Sequence, residues 1–355
     1  MSQGREEMNR RQPRIAVIGC GVIVETAHLP ALTQLGMTPA LLVDTNLARA
    51  RQLAEPYHVP QIAADWRSHR GRFDAAIVAT PPALHASVCA ELLAQGVHVL
   101  VEKPMATSSA ACRSMLAAAE QDGATLAVGL MRRFLHVNRW AKSVLEAGLL
   151  GEICAFDVRE GTVFHWPAAS AAFFDRKRAG GGVLMDIGVH TLDILLWLLG
   201  EVTCVEYRDD SYGGVEADCL LRLKLTCGAQ GVVELSRTRD LRNTLILEGT
   251  RGRLEIHLHT NTVLAAPDHV RKHRWGKRAV DRLPPQRFEQ LFVAELADWL
   301  QALQTGRAPE VTGREGMRPV ELIERCYAAR RELELPWMRF ARQADPVRSA
   351  EARGC

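Results

Sequence analysis

Asp186, His190 and Asp193 are spaced i, i+4, i+7 in an otherwise apolar run that opens with Gly180-Gly181-Gly182 and closes at Gly200. At α-helical spacing the three share one face, while Val183, Leu184, Ile187, Leu195, Leu196, Trp197 and Leu199 cover much of the rest. Burying two carboxylates and an imidazole costs on the order of several kcal/mol unless they are paired or needed, so the stripe points to a site where charge is used. An imidazole that titrates near neutral pH suits proton transfer. A second reading stays open: a structural Asp–His hydrogen bond with a further Asp near the helix end. The span 183–199 is 17 residues, at the short limit for crossing a membrane, and three ionisable groups interrupt it.

A second cluster suits a dinucleotide. Gly19-Cys20-Gly21-Val22-Ile23-Val24 follows an apolar strand and opens a helix, where Gly19 makes the tight turn. Gly21 then lets the backbone N–H groups of the Val22 and Ile23 turn approach a pyrophosphate. The third position of the pattern is Val24, where Gly or Ala is usual, and the larger side chain is expected to loosen helix–strand contact. Asp44 lies 23 residues after Gly21 (44 − 21) at the end of the next strand, placed to accept from the adenosine ribose hydroxyls. Thr45 and Asn46 follow it with no Arg beside them to neutralise a 2′-phosphate, which favours NAD over NADP. Capping of the helix at Leu47 is the other reading of Asp44. Thr80, Pro81 and Pro82 follow a third strand at the edge where an open α/β sheet binds its ligand, and Pro82 is expected against the nicotinamide or its ribose. His85 has two readings, a core or helix-capping histidine and a cofactor-pocket residue.

The elements that position these residues follow from periodicity. Apolar runs at 14–19, 40–44, 75–80, 97–102 and 125–128 alternate with helical patterns, as in a parallel sheet covered on both faces. Beyond Gly151 the pattern changes to period 2. Leu221, Leu223 and Leu225 alternate with Arg222 and Lys224, a turn at Gly228-Ala229-Gln230-Gly231 leads into Val232 to Leu235, and a second hairpin runs from Thr244 through Gly249-Thr250-Arg251-Gly252 to His259. These strands predict a one-sided antiparallel sheet. Phe288, Leu291, Phe292, Glu295, Leu296, Trp299 and Leu303 mark an amphipathic helix, and a last helix is expected over 316–333. The fold class is therefore α/β, with a doubly wound dinucleotide-binding domain over 13–130, a second domain over 131–340, and flexible ends at 1–12 and 342–355.

Composition narrows the partners. With 355 residues, 47% hydrophobic and 24% charged, the chain is an ordinary globular one. A formal charge of +3 with dispersed Lys and Arg argues against a nucleic-acid footprint and for no membrane partner, leaving small molecules, acidic ones included. The nine cysteines are scattered without metal-ligand spacing, so reduced thiols and a cytoplasmic location are expected. His257 and His259 share a strand face, with Asp268, His269 and His273 further along; a solvated face is read there, and no metal. No Ser or Cys carries a motif that pairs it with His190.

Val101-Glu102-Lys103-Pro104-Met105-Ala106 resembles the Glu-Lys-Pro motif of the Gfo/Idh/MocA family, the glucose-fructose oxidoreductase and inositol dehydrogenase group. Further strings resemble that family in order: Gly19-Cys20-Gly21 to His28-Leu29-Pro30, Ala79-Thr80-Pro81-Pro82 with His85, and Met131-Arg132-Arg133-Phe134. Gly148 to Ile153 and Gly180 through Asp186 to His190 complete the series, so the resemblance covers about 14–327. It implies a Rossmann domain followed by an α/β domain whose large, open, mainly antiparallel sheet serves in homo-oligomer packing as a dimer or tetramer. It also implies a nicotinamide cofactor, NAD on the Asp44 argument, with Glu102 and Lys103 beside it, and oxidation or reduction of a secondary alcohol on a sugar, cyclitol or related polyol.

The resemblance assigns catalysis to Lys103, Asp186 and His190, and physical chemistry gives them compatible roles. His190 takes the hydroxyl proton, Lys103 stabilises alkoxide character, and Asp186 positions substrate hydroxyls or influences the imidazole. The Lys103-Pro104 peptide is expected cis. Arg132, Phe164, Trp166 and Arg176 are candidate substrate residues, the aromatic faces suiting a sugar ring; packing within a long loop is the other reading. Two further functions occur among such relatives, glycoside cleavage through transient oxidation and cofactor-dependent regulation without catalysis. An intact Lys103, Asp186 and His190 set argues against the regulator and does not separate dehydrogenase from glycosidase.

Overall fold

The computed structural model describes residues 12–164, 174–266 and 283–334. Trp166, Asp268, His269, His273 and most of the two chain ends fall outside the described residues.

The first sheet takes its shape from short, wholly apolar strands. β1 (Ile15–Ile18), β2 (Leu41–Val43), β4 (Ala75–Val78), β5 (His98–Glu102) and β6 (Leu126–Gly129) appear where the apolar runs predict them. β3 (Ile62–Ala63) is a two-residue edge strand that periodicity does not reveal. All pairings are parallel, in the order β3-β2-β1-β4-β5-β6. Such strands need cover on both faces, which the helices α1 (Leu29–Gln34), α2 (Leu47–Ala54), α3 (Pro82–Leu93) and α4 (Ser109–Asp122) help supply. The order reverses between β1 and β4, so a crevice opens at their carboxyl ends, where the Gly19 and Thr80 loops stand.

After α5 (His136–Glu146) comes a second sheet of β7 (Ile153–Gly161), β8 (Val202–Asp209), β9 (Asp218–Leu225), β10 (Gln230–Ser236), β11 (Thr244–Gly249), β12 (Gly252–His257), β13 (Val263–Ala265) and β14 (Arg330–Glu332). Its order is β13-β12-β11-β7-β10-β9-β8-β14. The β9–β10 and β11–β12 hairpins form as expected. The sheet is mixed, because β7 pairs in parallel with β10 and β14 with β8. Leu221, Leu223 and Leu225 are buried while Arg222 and Lys224 face out, the one-sided pattern that the alternation requires.

Four helices join the halves. α6 (Arg176–Ala179) precedes the apolar run, which contains a π turn at Leu184–Gly188 and α7 (Val189–Leu199). The 24-residue stretch Arg176–Leu199 is long and apolar enough to cross a membrane, its most apolar 18-residue window having a mean hydropathy of 1.6, yet 72% of that window is buried inside the protein. α8 (Phe288–Thr305) packs on α1, and α9 (Gly313–Ala328) packs on α4, α7 and β6. The last helix thus ends at Ala328, short of the expected 333, and the chain continues into the edge strand β14. Because α8 and α9 lie against the first sheet's layers, the two domains share one wall.

Candidate active site

The cofactor side is built by close backbone approaches. Gly19 has φ +99°, and a Cβ there would stand 2.4 Å from the Ala79 carbonyl oxygen, so only glycine lets the β1 loop lie against the β4 loop. Gly21 has open space where a Cβ would be, which leaves its backbone approachable. Val24 is fully buried, and the chain accommodates it in a π turn at Val24–His28. The π turn inserts one extra residue at that point. Asp44 accepts from the Cys20 and Asn46 backbone N–H groups, each at 2.8 Å. It does not cap the following helix, because Asn46 does so by accepting from the Arg49 N–H. Arg49 folds back to donate to the Cys20 carbonyl at 3.0 Å and pairs with Glu25, so an arginine does stand near Asp44, although none is adjacent in sequence.

One cleft of about 460 Å³ collects the remaining candidates. Val22, Ile23, Thr80, Pro81, Pro82, Glu102 and Lys103 line its first-domain wall, and Asp186, His190, Arg132 and Phe164 line the opposite one. A glycine loop at a helix start, a carboxylate at the end of β2 and an apolar wall of Ile23 and Pro82 fit a nicotinamide dinucleotide. His85 lies behind this wall, 1% exposed, with its ring nitrogens 2.9 Å from the Pro104 carbonyl and 2.8 Å from that of Thr80. It is enclosed between the Thr80 and Pro104 loops and does not line the cleft. Glu102 is buried but paired with His28 at 2.7 Å and with the Lys103 N–H; burial opposes its ionisation, and His28 and Lys103 prevail, holding it below the usual carboxylate range. The Lys103-Pro104 peptide is cis.

Lys103 Nζ donates to Asp186 Oδ1 at 2.7 Å and to the Asp186 carbonyl at 3.1 Å. Arg237 closes on the other carboxylate oxygen. Burial alone would raise Asp186, but the two cations outweigh it and hold the carboxyl below its usual range. His190 is 5% exposed, lines the cleft, and its Nδ1 has no hydrogen-bond partner. Burial, then the Arg132 and Lys103 charges, push its ring well below the ordinary imidazole value, with Glu160 opposing.

The stripe is divided by the π turn. In a regular helix Asp186 and Asp193 would share a face, but the extra residue in Leu184–Gly188 shifts their phase. Asp193 is 1% exposed and bonded to the buried Arg133 at 2.6 to 3.1 Å, a structural ion pair. The triple glycine has its own cause: a Cβ on Gly181 would stand 1.9 Å from the Tyr327 hydroxyl, and one on Gly182 1.9 Å from the Glu216 carbonyl oxygen. Glu216 accepts from the Gly182 and Leu184 N–H groups at 2.9 and 3.1 Å, and from Tyr327 at 2.8 Å, fastening the helix start.

The substrate candidates separate. Phe164 lies in the wall under the Arg237 guanidinium, 5.2 Å from ring centre to charge. Arg132 lines the wall too, but two of its donors go to buried Glu160, at 3.0 and 2.8 Å. Arg176 turns away to stack on Tyr327 and reach the Gly214 carbonyl; Arg178 takes the place expected of it at the cleft. His259, read as part of a solvated face, bonds Glu160 through Nε2 at 2.6 Å, with His257 beside it. Among the described residues no group of three or more His, Cys, Asp or Glu is arranged to hold a metal ion. Glu160, Glu216, Arg178 and Arg237 carry no local sequence signal; only packing brings them here.

Two family profiles match the chain in order. Residues 13–130 match the oxidoreductase family with NAD-binding Rossmann fold, and residues 138–255 match the GFO/IDH/MocA C-terminal domain. A putative UDP-kanosamine synthase oxidoreductase subunit of Amycolatopsis mediterranei (strain S699) is 34% identical over 53% of this chain and 52% of its own length. The NAD(+)-dependent scyllo-inositol 2-dehydrogenase of Bacillus subtilis (strain 168) is 29% identical over 85% of this chain and 89% of its own. The structure of aldose-aldose oxidoreductase from Caulobacter crescentus, complexed with glycerol, superposes with a TM-score of 0.78 at 25% identity, covering 90% of this chain and 97% of that one. With both domains matched, the chain belongs to the Gfo/Idh/MocA family of oxidoreductases.

Proposed function

We propose that the protein is an NAD-dependent dehydrogenase or reductase that acts on a secondary alcohol or ketone of a sugar, cyclitol or related polyol. The observation that carries this reading is the convergence of Lys103, Asp186 and His190 on the cleft that Val22, Ile23 and Pro82 also line. Nicotinamide, when bound, supplies the hydride acceptor or donor. The chain's own residues handle the rest. Lys103, held by Asp186, presents a cation to the reacting oxygen, where partial exclusion of water strengthens it. His190, kept neutral by its surroundings, takes the hydroxyl proton in oxidation and returns it in reduction. The phenyl face of Phe164 offers apolar cover for a sugar ring. Asp44 favours NAD by accepting from ribose hydroxyls through lone pairs left free by Cys20 and Asn46, and by repelling a 2′-phosphate.

The similarity to the scyllo-inositol 2-dehydrogenase supports the substrate class. The complete Lys103, Asp186 and His190 set speaks against a regulator without catalysis. The test is the reduced-nicotinamide absorbance of purified protein with NAD and a panel of inositols, aldoses and ketoses, run beside His190→Asn. Absence of NADH formation across the panel, or equal formation by the variant, overturns the reading.

A further inference from the structure

The wall behind His190 holds a carboxylate with every hydrogen-bonding position in use. Glu160, near the end of β7, is 1% exposed. Arg132 donates to both of its oxygens, His259 Nε2 to Oε1, and the Thr191 hydroxyl to Oε2. Thr191 is the residue after His190, and Arg132 lines the cleft itself. Four donors on one buried carboxylate leave it a single orientation, and a two-pronged arginine pair fixes the guanidinium plane with it. Two of Arg132's five N–H groups are committed to Glu160, and Arg132 itself lines the cleft.

We propose that Glu160 is a positioning residue for proton transfer at His190: it fixes the Arg132 guanidinium in the cleft wall and the first turn of α7, and it links both to the partly exposed imidazole of His259. The proposal rests on the oxidoreductase reading only in taking His190 as the group that moves the proton. The charges facing His190 come from several elements: Lys103 after β5, Arg132 after β6, Glu160 on β7 and His259 after β12, with Asp186 and Arg237 paired in the same wall. Glu160 offsets the Arg132 charge that His190 experiences, and a protonated His259 in turn offsets Glu160. The side chain of His259 is 36% exposed, so the hydrogen bonds from Thr191, the residue after His190, through Glu160 end on a group open to solvent.

The test is the ring titration of His190, followed by NMR of the histidine-labelled, NADH-loaded full chain in wild type, Glu160→Gln and His259→Asn, with melting temperatures recorded beside it. Glu160→Gln removes a negative charge and is expected to move the His190 titration to lower pH. His259→Asn removes the imidazole whose interaction lowers the His190 value and is expected to move the titration to higher pH. A part that only braces the fold would change the melting temperature and leave the titration in place. In turnover, Glu160→Gln is expected to lose on the order of 10²-fold in kcat, the scale for a misplacement of about 1 Å. His259→Asn replaces a partly exposed side chain and carries the test if Glu160→Gln does not fold. An unchanged His190 titration in the folded variants overturns the proposal; a shift in Glu160→Gln without one in His259→Asn overturns the link to solvent. Since the titration needs no substrate, a negative polyol panel would overturn the oxidoreductase reading and leave this result to stand or fall separately.

Discussion

Lowering the pH from 8 to 6 is expected to slow alcohol oxidation very little. An imidazole at its ordinary value of about 6.5 would be about 97% neutral at pH 8 and about 24% neutral at pH 6, a roughly fourfold loss of base. His190 is 5% exposed and stands near the Arg132 and Lys103 charges, so its ring stays neutral further into acid and most of that loss disappears. The sign also sets stability. With the folded value below the ordinary imidazole value of about 6.5, the unfolded chain binds a proton that the native one does not, and the fold loses stability as pH falls from about 6.5 towards the folded value. The assay is kcat/KM for the alcohol from pH 5 to 9, in wild type and His190→Asn. The variant is expected to lose about 10²–10⁴-fold in kcat and to lack the acid limb. Its melting temperature is expected to change little, because Nδ1 has no partner and Asp186 is bonded to Lys103 and Arg237 instead. A limb centred at the ordinary imidazole value, or one that survives in His190→Asn, refutes His190 as the base.

Lys103→Met is expected to lower kcat by about 10²–10⁴-fold while NADH binding, followed by fluorescence, stays nearly intact; turnover within a few fold of wild type would make Lys103 a strand-end lysine and no more. NAD(H) is expected to bind more tightly than NADP(H) by roughly 1.5–3 kcal/mol, and Asp44→Asn to erase most of that margin in a titration; equal affinities in wild type would remove Asp44 from its role and point to nearby Arg49. Gly182→Ala places a Cβ 1.9 Å from the Glu216 carbonyl oxygen, a backbone atom that cannot swing aside. The expected cost is about 1–3 kcal/mol of stability, read as a drop of a few degrees in melting temperature with kcat falling alongside; an unaffected variant would mean that the helix start is not tightly held.

Much of the first domain was legible because its signals are local. A wholly apolar strand between helices, a glycine at a turn that needs positive φ, and a carboxylate at the next strand end each depend on a few neighbouring residues, and β1, β2, β4, β5 and β6 appear where those residues predict them. The hairpins at Gly228 and Gly249 were legible for the same reason. The Glu-Lys-Pro string and the Asp186 and His190 spacing located the candidate site by resemblance, and the structure brings those residues onto one cleft. Less local features escaped. β3 is too short to carry a pattern, and β14 continues a helical sequence because pairing with β8 outweighs local preference at the chain's edge.

Residue types and local spacing set which groups were available: a carboxylate stripe, a lysine before proline, an imidazole and a glycine loop. Their division between cleft and core came from packing in three dimensions. Helical periodicity placed Asp186 and Asp193 together, but the π turn shifts one to the cleft with Lys103 and leaves the other buried on Arg133. His85 and Arg176 were drawn from the site by carbonyls and an aromatic ring that no spacing rule locates. Arg237, Glu160 and His259 entered it from strands far along the chain, because charge partners are chosen by distance in the folded protein and a linear sequence does not encode that distance in any local pattern.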